Sequence, residues 1–202
     1  MLSQRFEDAL VFATRLHASQ RRKGTAIPYV AHLLAVTALV LEHGGTEDEA
    51  IAALLHDAVE DQGGAAIRAQ IRSRFGEAVA IIVDGCTDAD VTPKPPWRAR
   101  KETYLAHLAA GVPSSVLLVS VADKLHNARA ILSDYRTLGA TLWERFNGGR
   151  SGTLWYYRAL VQTYRQSAAQ KDRPGFAALV AELDRTVTDL EQLVARETDQ
   201  AG

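Results

Sequence analysis

The chain consists of segments with a helical apolar period, separated by short breaks that are rich in glycine and proline. Apolar residues recur at spacings of three and four, and the period-two alternation of half-buried strands is rare. The clearest helix start is Thr46, because Glu49 three residues later completes a capping box. Glycines mark other ends, such as Gly44 and Gly45 after an apolar helix and Gly76 between two shorter ones. The pattern predicts an all-α fold.

The predicted helices follow one another without an internal repeat. By residue number they cover 6–17, 29–42, 46–61, 67–75, 77–86, 97–110 and 116–135. An aromatic segment at 154–164 and an amphipathic segment at 174–196 come after them. A chain of 202 residues lies below the size at which single cores stop growing. We therefore expect one domain over 1–202, with a helical bundle core at about 6–135 and a helical extension at 136–202.

The composition of the chain excludes several classes of binding partner and metal site. The chain has 23 Lys and Arg against 24 Asp and Glu, a net charge of -1, so neither nucleic acid nor an anionic membrane is an expected partner. Its longest apolar stretch, 29–41, is shorter than the roughly 20 residues that span a bilayer, and its N-terminus does not read as a signal peptide. The single Cys86 excludes a disulfide and multi-thiolate zinc sites. We expect a cytoplasmic protein that uses imidazoles, carboxylates and basic side chains.

Four polar side chains stand close together in the third predicted helix. At 100° per residue, His56, Asp57, Glu60 and Asp61 occupy one arc of about 140°, beside apolar positions that face the core. An arc of charged residues usually faces water, and this remains an interpretation of Glu60 and Asp61. The adjacent imidazole and carboxylate of His56 and Asp57 favour a second interpretation, in which they converge on a divalent ion.

Two further polar residues lie in strongly apolar helices. His32 falls within the apolar stretch 29–41, where a lone histidine is more often a hydrogen-bonded core residue than a ligand. Asp123 follows a run of apolar residues, where an unpaired buried carboxylate would be unfavourable. A divalent ion shared by His32, His56, Asp57 and Asp123 would offset the energetic cost of burying all four side chains. It would also leave coordination positions open for water and substrate.

The same residues carry a family resemblance. The order His32, His56-Asp57, Asp123 resembles the HD-domain metal-dependent phosphohydrolases. The blocks at 20–24, 54–61 and 122–127, with Pro28-Tyr29 before the first histidine, are similar to the hydrolase domain of Rel/SpoT-type proteins and to small alarmone hydrolases. The likeness runs from about Phe6 to Tyr135.

This resemblance implies an HD-type hydrolase that removes the 3′-pyrophosphate of guanosine or adenosine alarmones, of the (p)ppGpp or (p)ppApp type, commonly with one Mn2+ ion per chain. It implies that Glu60 and Asp61 form the acid/base pair that serves a metal-activated water, since a divalent ion lowers the pKa of bound water. Asn127 lies four residues after Asp123 on one helix face, where its amide could orient ribose or phosphate.

A small polyanionic nucleotide needs local positive charge. The resemblance places Arg22 and Lys23 near the substrate, although a solvated basic turn is the plain alternative. It also assigns Lys94 to the substrate, and Lys101 follows on the next predicted helix. Arg150, with Trp155, Tyr156 and Tyr157, could close over a nucleobase, while core packing is the ordinary role of such aromatic residues.

Two alternatives remain open at this point. Another HD enzyme, such as a nucleotidase or a cyclic-nucleotide phosphodiesterase, would share the metal ligands; two-metal versions need further histidines before Asp123, and His107 is the single candidate. A sensor that binds alarmones without turnover would have no use for Glu60 and Asp61. The length of 202 residues also leaves no room for a synthetase domain, so we expect degradation alone.

Overall fold

A computed structural model describes residues 1–88 and 93–200, with side chains described as far as Glu197. Eleven α-helices and one 3-10 helix, Gly139–Arg145, run through these residues. The α-helices are α1 Gln4–Leu16, α2 Val30–Glu42, α3 Glu47–Leu55, α4 Ala58–Gln62, α5 Gly64–Phe75, α6 Glu77–Cys86, α7 Trp97–Ala109, α8 Ser114–Leu138, α9 Gly149–Gln166, α10 Ala169–Asp172 and α11 Pro174–Gln200.

The all-α prediction is confirmed. Within the described ranges there is no β-strand, and an isolated antiparallel bridge joins Arg21 to Pro28. The capping box at the start of α3 is present, with Thr46 accepting from the Glu49 amide and the Glu49 carboxylate accepting from the Thr46 amide. Gly76 separates α5 from α6 with a φ of 91°, a left-handed value that favours glycine.

One predicted helix is interrupted. The segment 46–61 was expected to continue as a single helix, but α3 ends at Leu55 and α4 begins at Ala58. His56 and Asp57 lie at the junction, where Asp57 has φ -98° and ψ -1°, within the right-handed α region but displaced from the mean helical values. The helical spacing of 100° per residue therefore does not hold across the whole segment 46–61. It does not predict where His56 and Asp57, at the break, point.

Helix α8 is the centre of the core. It contacts α2, α3, α6, α9 and α11, and Leu118, Val121 and Leu125 on it are fully buried. The amphipathic segment after Pro174 forms α11, which packs along α8 through residues such as Leu183 and Val187. Contacts among α2, α3 and α8 bring the three helices that carry or adjoin His32, His56 and Asp123 into one layer. No helix in the described part of the chain is long and apolar enough to cross a membrane.

Candidate active site

The side chains predicted to share a metal meet where α2, the α3–α4 junction and α8 come together. His56 Nε2 lies 3.0 Å from Asp57 Oδ2, and His32 Nε2 lies 3.2 Å from Asp123 Oδ1. Across the cluster, His32 Nε2 is 3.7 Å from Asp57 Oδ2, and His56 Nε2 is 3.6 Å from Asp123 Oδ1. Ligand atoms of His32, His56 and Asp57 all lie within 4.8 Å of one another. Asp123 Oδ1 lies near both imidazoles but falls outside this group of three, so the structure brings His32, His56 and Asp57 together with Asp123 beside them.

The imidazoles are oriented as metal ligands require. His56 Nδ1 lies 2.8 Å from the carbonyl oxygen of Ala53, so Nδ1 carries the proton and donates it. This directs Nε2, the potential ligand atom, towards the carboxylates. The Nε2 atoms of both His32 and His56 are buried and have no hydrogen-bond partner. Two imidazole nitrogens without hydrogen-bond partners, beside two carboxylates, are a ligand set that fits a divalent cation.

Electrostatics at the cluster favour positive charge. Burial would raise the pKa of Asp123, but Lys124 and the two imidazoles outweigh it and hold that pKa well below its usual range. Burial opposes protonation of His56, but Asp57 and Asp123 outweigh it and raise the pKa of this imidazole well above its usual value. A divalent cation would satisfy the same carboxylates without protonating the histidines.

Both carboxylates are held by neighbours. The Tyr29 hydroxyl donates to Asp57 Oδ2 at 2.5 Å. On α8, Lys124 Nζ lies 2.6 Å from Asp123 Oδ2, and Asn127 Nδ2 donates to Asp123 Oδ1. The spacing of four residues between Asp123 and Asn127 indeed places them on one helix face, but in this structure the Asn127 amide contacts a carboxylate.

His126 is a residue of the site that sequence reasoning did not single out. Its Nδ1 lies 2.8 Å from His32 Nδ1, on the side of the ring opposite the carboxylates. Burial, the His32 ring and the guanidinium of Arg22 lower the pKa of His126 to about 4, so it is neutral at neutral pH and can accept a hydrogen bond. It was present in the block at 122–127, yet its partner lies 94 residues away, and no spacing rule connects the two.

Glu60 and Asp61, the predicted acid/base pair, project from α4 immediately after the junction. Glu60 Oε1 accepts from Lys94 Nζ at 2.7 Å, and Asp61 Oδ2 accepts from Gln20 Nε2 at 2.8 Å. Loss of surrounding solvent and the negative charge of Asp57 raise the pKa of Asp61 above its usual value. The two carboxylates therefore have different partners and different electrostatic surroundings, as an acid and a base of one reaction require.

A cavity of about 360 Å³ lies beside the cluster. Tyr29, Lys124 and Asn127 belong to its wall, and each of them contacts Asp57 or Asp123 directly, so one layer of side chains separates the cavity from the candidate metal ligands. Its remaining wall is formed by Arg22, Lys23, Thr25, Ile27, Trp97, Lys101, Ala130, Ile131, Asp134, Arg145, Phe146, Thr153, Tyr156 and Tyr157.

Four of the six predicted substrate residues line this cavity: Arg22, Lys23, Lys101 and Asn127. Arg22 Nη1 donates to Asn127 Oδ1 at 2.9 Å, which ties the basic turn to α8. Lys101 Nζ lies 2.6 Å from Asp88 Oδ2, and its ammonium stands 4.9 Å from the centre of the Tyr156 ring.

The other two predicted substrate residues lie elsewhere. Lys94 is exposed and contacts Glu60 rather than the cavity wall. Arg150 is exposed in the first turn of α9 and is not part of the wall, whereas Arg145 is. Of the aromatic residues, Tyr156 and Tyr157 are mostly buried and line the cavity, while Trp155 packs under the Arg98 guanidinium outside it.

His107, the candidate ligand for a second metal, lies on α7 and is exposed. Its ring packs near that of Tyr104, with 6.4 Å between centroids. Within the described ranges, the group of side chains that could hold an ion is His32, His56 and Asp57, and His107 does not belong to it.

Sequence comparison finds the HD domain family. The family profile, described as "HD domain", matches residues 9–154. A Synechocystis relative named as a probable guanosine-3′,5′-bis(diphosphate) 3′-pyrophosphohydrolase is 38% identical over 125 residues, which is 61% of this chain and 16% of that protein. A GTP pyrophosphokinase from Streptomyces coelicolor is 36% identical over 129 residues, or 63% of this chain and 15% of that protein. The matched segment thus spans less than a fifth of the length of these curated relatives.

Structural comparison agrees over a greater length. A solved structure of a metazoan ortholog of SpoT, described as hydrolyzing ppGpp, superposes with a TM-score of 0.72 at 26% sequence identity. That match covers 92% of this chain and 96% of the other. A protein from Listeria monocytogenes EGD-e superposes with a TM-score of 0.65, also at 26% identity, over 78% of this chain and 99% of its own.

Proposed function

The chain belongs to the HD domain family, with homology to the hydrolase domains of SpoT/Rel proteins, and we propose that it is a metal-dependent hydrolase that removes the 3′-pyrophosphate from an alarmone nucleotide. The observation that carries this proposal is the continuity of the site. A cluster suited to a divalent cation lies next to a basic cavity, separated from it by Tyr29, Lys124 and Asn127, which contact both. Two carboxylates with separate partners stand on the next helix. Relatives named as 3′-pyrophosphohydrolases support the substrate class.

We assign His32, His56, Asp57 and Asp123 as the metal ligands, with one ion per chain. When bound, a divalent ion supplies a Lewis acid and lowers the pKa of a bound water towards neutrality. Manganese is our proposed ion, because carboxylates suit it and it tolerates imidazole ligands, although iron, cobalt, nickel and zinc accept similar mixed sets.

The remaining chemistry belongs to side chains of this protein. In the proposed reaction, water adds to the phosphorus attached to the ribose 3′ oxygen, the bond between that phosphorus and the 3′ oxygen breaks, and pyrophosphate leaves. One of Glu60 and Asp61 takes the proton from the water, and a proton is returned to the 3′ oxygen. Arg22, Lys23 and Lys101 offset the charge of the pyrophosphate along the cavity, and Lys94 approaches it from the side of Glu60.

Part of the cavity wall suits a nucleobase. Phe146 and Tyr157 give it an apolar lining, and Asp134 carries the one carboxylate among the described residues of its wall. Arg145 Nη1 lies 3.1 Å from Asp134 Oδ2, so the two side chains form an ion pair in the wall. An ionised carboxylate accepts hydrogen bonds and cannot donate them. The Watson–Crick edge of guanine offers two adjacent donors, whereas adenine places an acceptor beside a single donor. We therefore propose the guanosine alarmone as the preferred substrate over the adenosine one.

Chromatography of nucleotides after incubation with purified protein and Mn2+ tests the activity. We expect pyrophosphate release from a 3′-pyrophosphorylated guanosine nucleotide, and no release by the Asp57→Ala or Glu60→Ala variants. Turnover of 5′-nucleotides or cyclic nucleotides alone would indicate a different HD enzyme. Tight alarmone binding without turnover would indicate a sensor.

Metal analysis of the same preparations tests the ligand set. We expect about one Mn2+ ion per chain in the parent and a large loss in the His32→Ala variant. A His32→Ala protein that retains the full metal content would overturn the assignment of this residue.

A further inference from the structure

Gln20 lies between Asp61 and the buried His17. Its side-chain Nε2 donates to Asp61 Oδ2 at 2.8 Å, and its Oε1 lies 2.6 Å from His17 Nδ1. The same oxygen accepts from Gln62 Nε2 at 2.5 Å. Because a carboxylate offers acceptors alone, the amide nitrogen must face Asp61 and the amide oxygen must face His17. The hydrogen bonds therefore run in one direction, with Gln20 donating to Asp61 and accepting from His17.

This direction also fixes His17. The Gln20 oxygen is an acceptor, so His17 Nδ1 carries the proton that it receives. His17 is 2% exposed at the C-terminal end of α1, and its ring stacks on Tyr29 at 5.4 Å between centroids. Tyr29 in turn donates to Asp57. His17 is thus held by packing on one side and by a hydrogen bond on the other.

We propose that Gln20 and His17 are positioning residues for Asp61. His17 orients the Gln20 amide, and that amide holds the Asp61 carboxylate in one orientation while Asp61 takes part in proton transfer. This inference rests on the proposed hydrolase activity, since it concerns the same site. Neither residue belongs to the wall of the cavity, so their effect on substrate binding is expected to be small.

A structural role makes different predictions. Gln20 also connects the turn after α1 to α4, so a simple tie between these segments would alter stability. A positioning role alters kcat while KM, metal content and thermal stability stay near their parent values. The split between kcat and KM, measured beside metal content and melting temperature, separates the two roles.

The first variant is Gln20→Ala, which removes the donor to Asp61. We expect kcat to fall tenfold or more, with KM within twofold and Mn2+ content unchanged. Gln4→Ala is the matched control, because it removes another glutamine-to-aspartate hydrogen bond, from Gln4 Nε2 to Asp8 Oδ1, at an exposed site on α1. Its kcat should equal that of the parent.

The second pair of variants tests His17. We expect His17→Ala to lower kcat, and His17→Asn to restore it to within a few-fold of the parent, because the asparagine Nδ2 can donate from nearly the place of His17 Nδ1. An active parent whose Gln20→Ala variant keeps its kcat overturns this inference alone, and so does equal loss in His17→Asn and in a folded His17→Ala protein. A parent without hydrolase activity overturns the proposed function itself.

Discussion

Nδ1 of His32 lies 2.8 Å from Nδ1 of His126, so one of these nitrogens donates to the other. His32 turns its Nε2 towards Asp57 and Asp123, and a metal ligand needs a lone pair on that atom. As the proposed metal ligand, His32 would carry its proton on Nδ1, with neutral His126 as the acceptor. The pair extends the site beyond its four candidate ligands to a residue that orients one of them.

Removing that acceptor should weaken metal binding. In the His126→Ala variant, His32 Nδ1–H loses its partner and the ring loses its fixed orientation, so we expect the affinity for Mn2+ to fall about 10- to 100-fold, the usual effect of losing such a partner. Titration calorimetry with Mn2+ measures it. His107→Ala, at an exposed histidine on α7, is the matched control and should bind as the parent does. Equal affinities in the parent and His126→Ala would contradict the proposed orientation.

Lys94 should act on substrate binding rather than on stability. Its ammonium contacts Glu60 Oε1, yet the lysine side chain is 41% exposed, and exposed ion pairs contribute about 0–1 kcal/mol to stability. The ammonium can therefore move to a phosphate oxygen at little energetic cost. For Lys94→Ala we expect KM to rise about tenfold, which corresponds to about 1.4 kcal/mol of lost binding, with little change in melting temperature.

Lys171→Ala provides the comparison for Lys94, because Lys171 is an exposed lysine on α10. Steady-state kinetics of both variants on the alarmone should show the KM increase for Lys94→Ala alone. If KM is unchanged and kcat falls instead, Lys94 serves Glu60 and not the substrate.

Asp134→Asn should change the choice of nucleobase. An asparagine amide offers one donor and one acceptor, which matches the edge of adenine and leaves one guanine donor unpaired. We expect the ratio of kcat/KM for guanosine over adenosine alarmone to fall about tenfold or more, in the range of one good base contact. Competition between the two substrates measures this ratio, and a ratio equal to that of the parent would rule out base recognition by Asp134.

The meeting of the two histidines with the two aspartates could be predicted because the unfavourable burial of such polar side chains is visible in the sequence. His32 and Asp123 stand in apolar helices, and with one cysteine in the chain, imidazoles and carboxylates are the available ligands. Helix boundaries also followed from local signals, such as the capping box at Thr46. These features depend on neighbours within one or two turns.

What the sequence could not predict depends on distant contacts or on side-chain direction. The contact of His126 with His32 joins two helices, and the break at His56 and Asp57 arises where the junction turns these side chains towards α2 and α8. Arg150 shows that the sequence does not predict the direction of a side chain. It falls next to Gly149, whose φ is 56°, and the turn at the start of α9 leaves Arg150 exposed while Arg145 faces the cavity.

The buried ion pair between Glu49 and Arg173 should give the protein an acid-sensitive component of stability. The Glu49 side chain is 5% exposed, and its oxygens accept from Arg173 Nη1 and Nη2 at 2.6 and 2.7 Å. Burial alone would raise the pKa of Glu49, but the hydrogen bonds from Arg173 and Thr46 outweigh it and lower that pKa. A carboxyl group with a lowered pKa stabilises the fold above its unfolded pKa, about 4.3, and loses this contribution as the pH falls through its folded pKa.

Arg173→Ala should reverse this pH dependence. Without the guanidinium, burial dominates and the pKa of Glu49 rises, so the folded state disfavours the ionised carboxylate. The loss of unfolding free energy relative to the parent should then be small near pH 4 and grow as the pH rises, reaching about 3–5 kcal/mol near pH 7, the usual effect of leaving one buried charge unpaired. Urea unfolding at several pH values measures the difference. In the double variant Glu49→Gln with Arg173→Ala, the growth with pH should disappear, because no carboxylate remains to ionise. A loss that is the same at every pH would show that Arg173 stabilises the fold through packing alone.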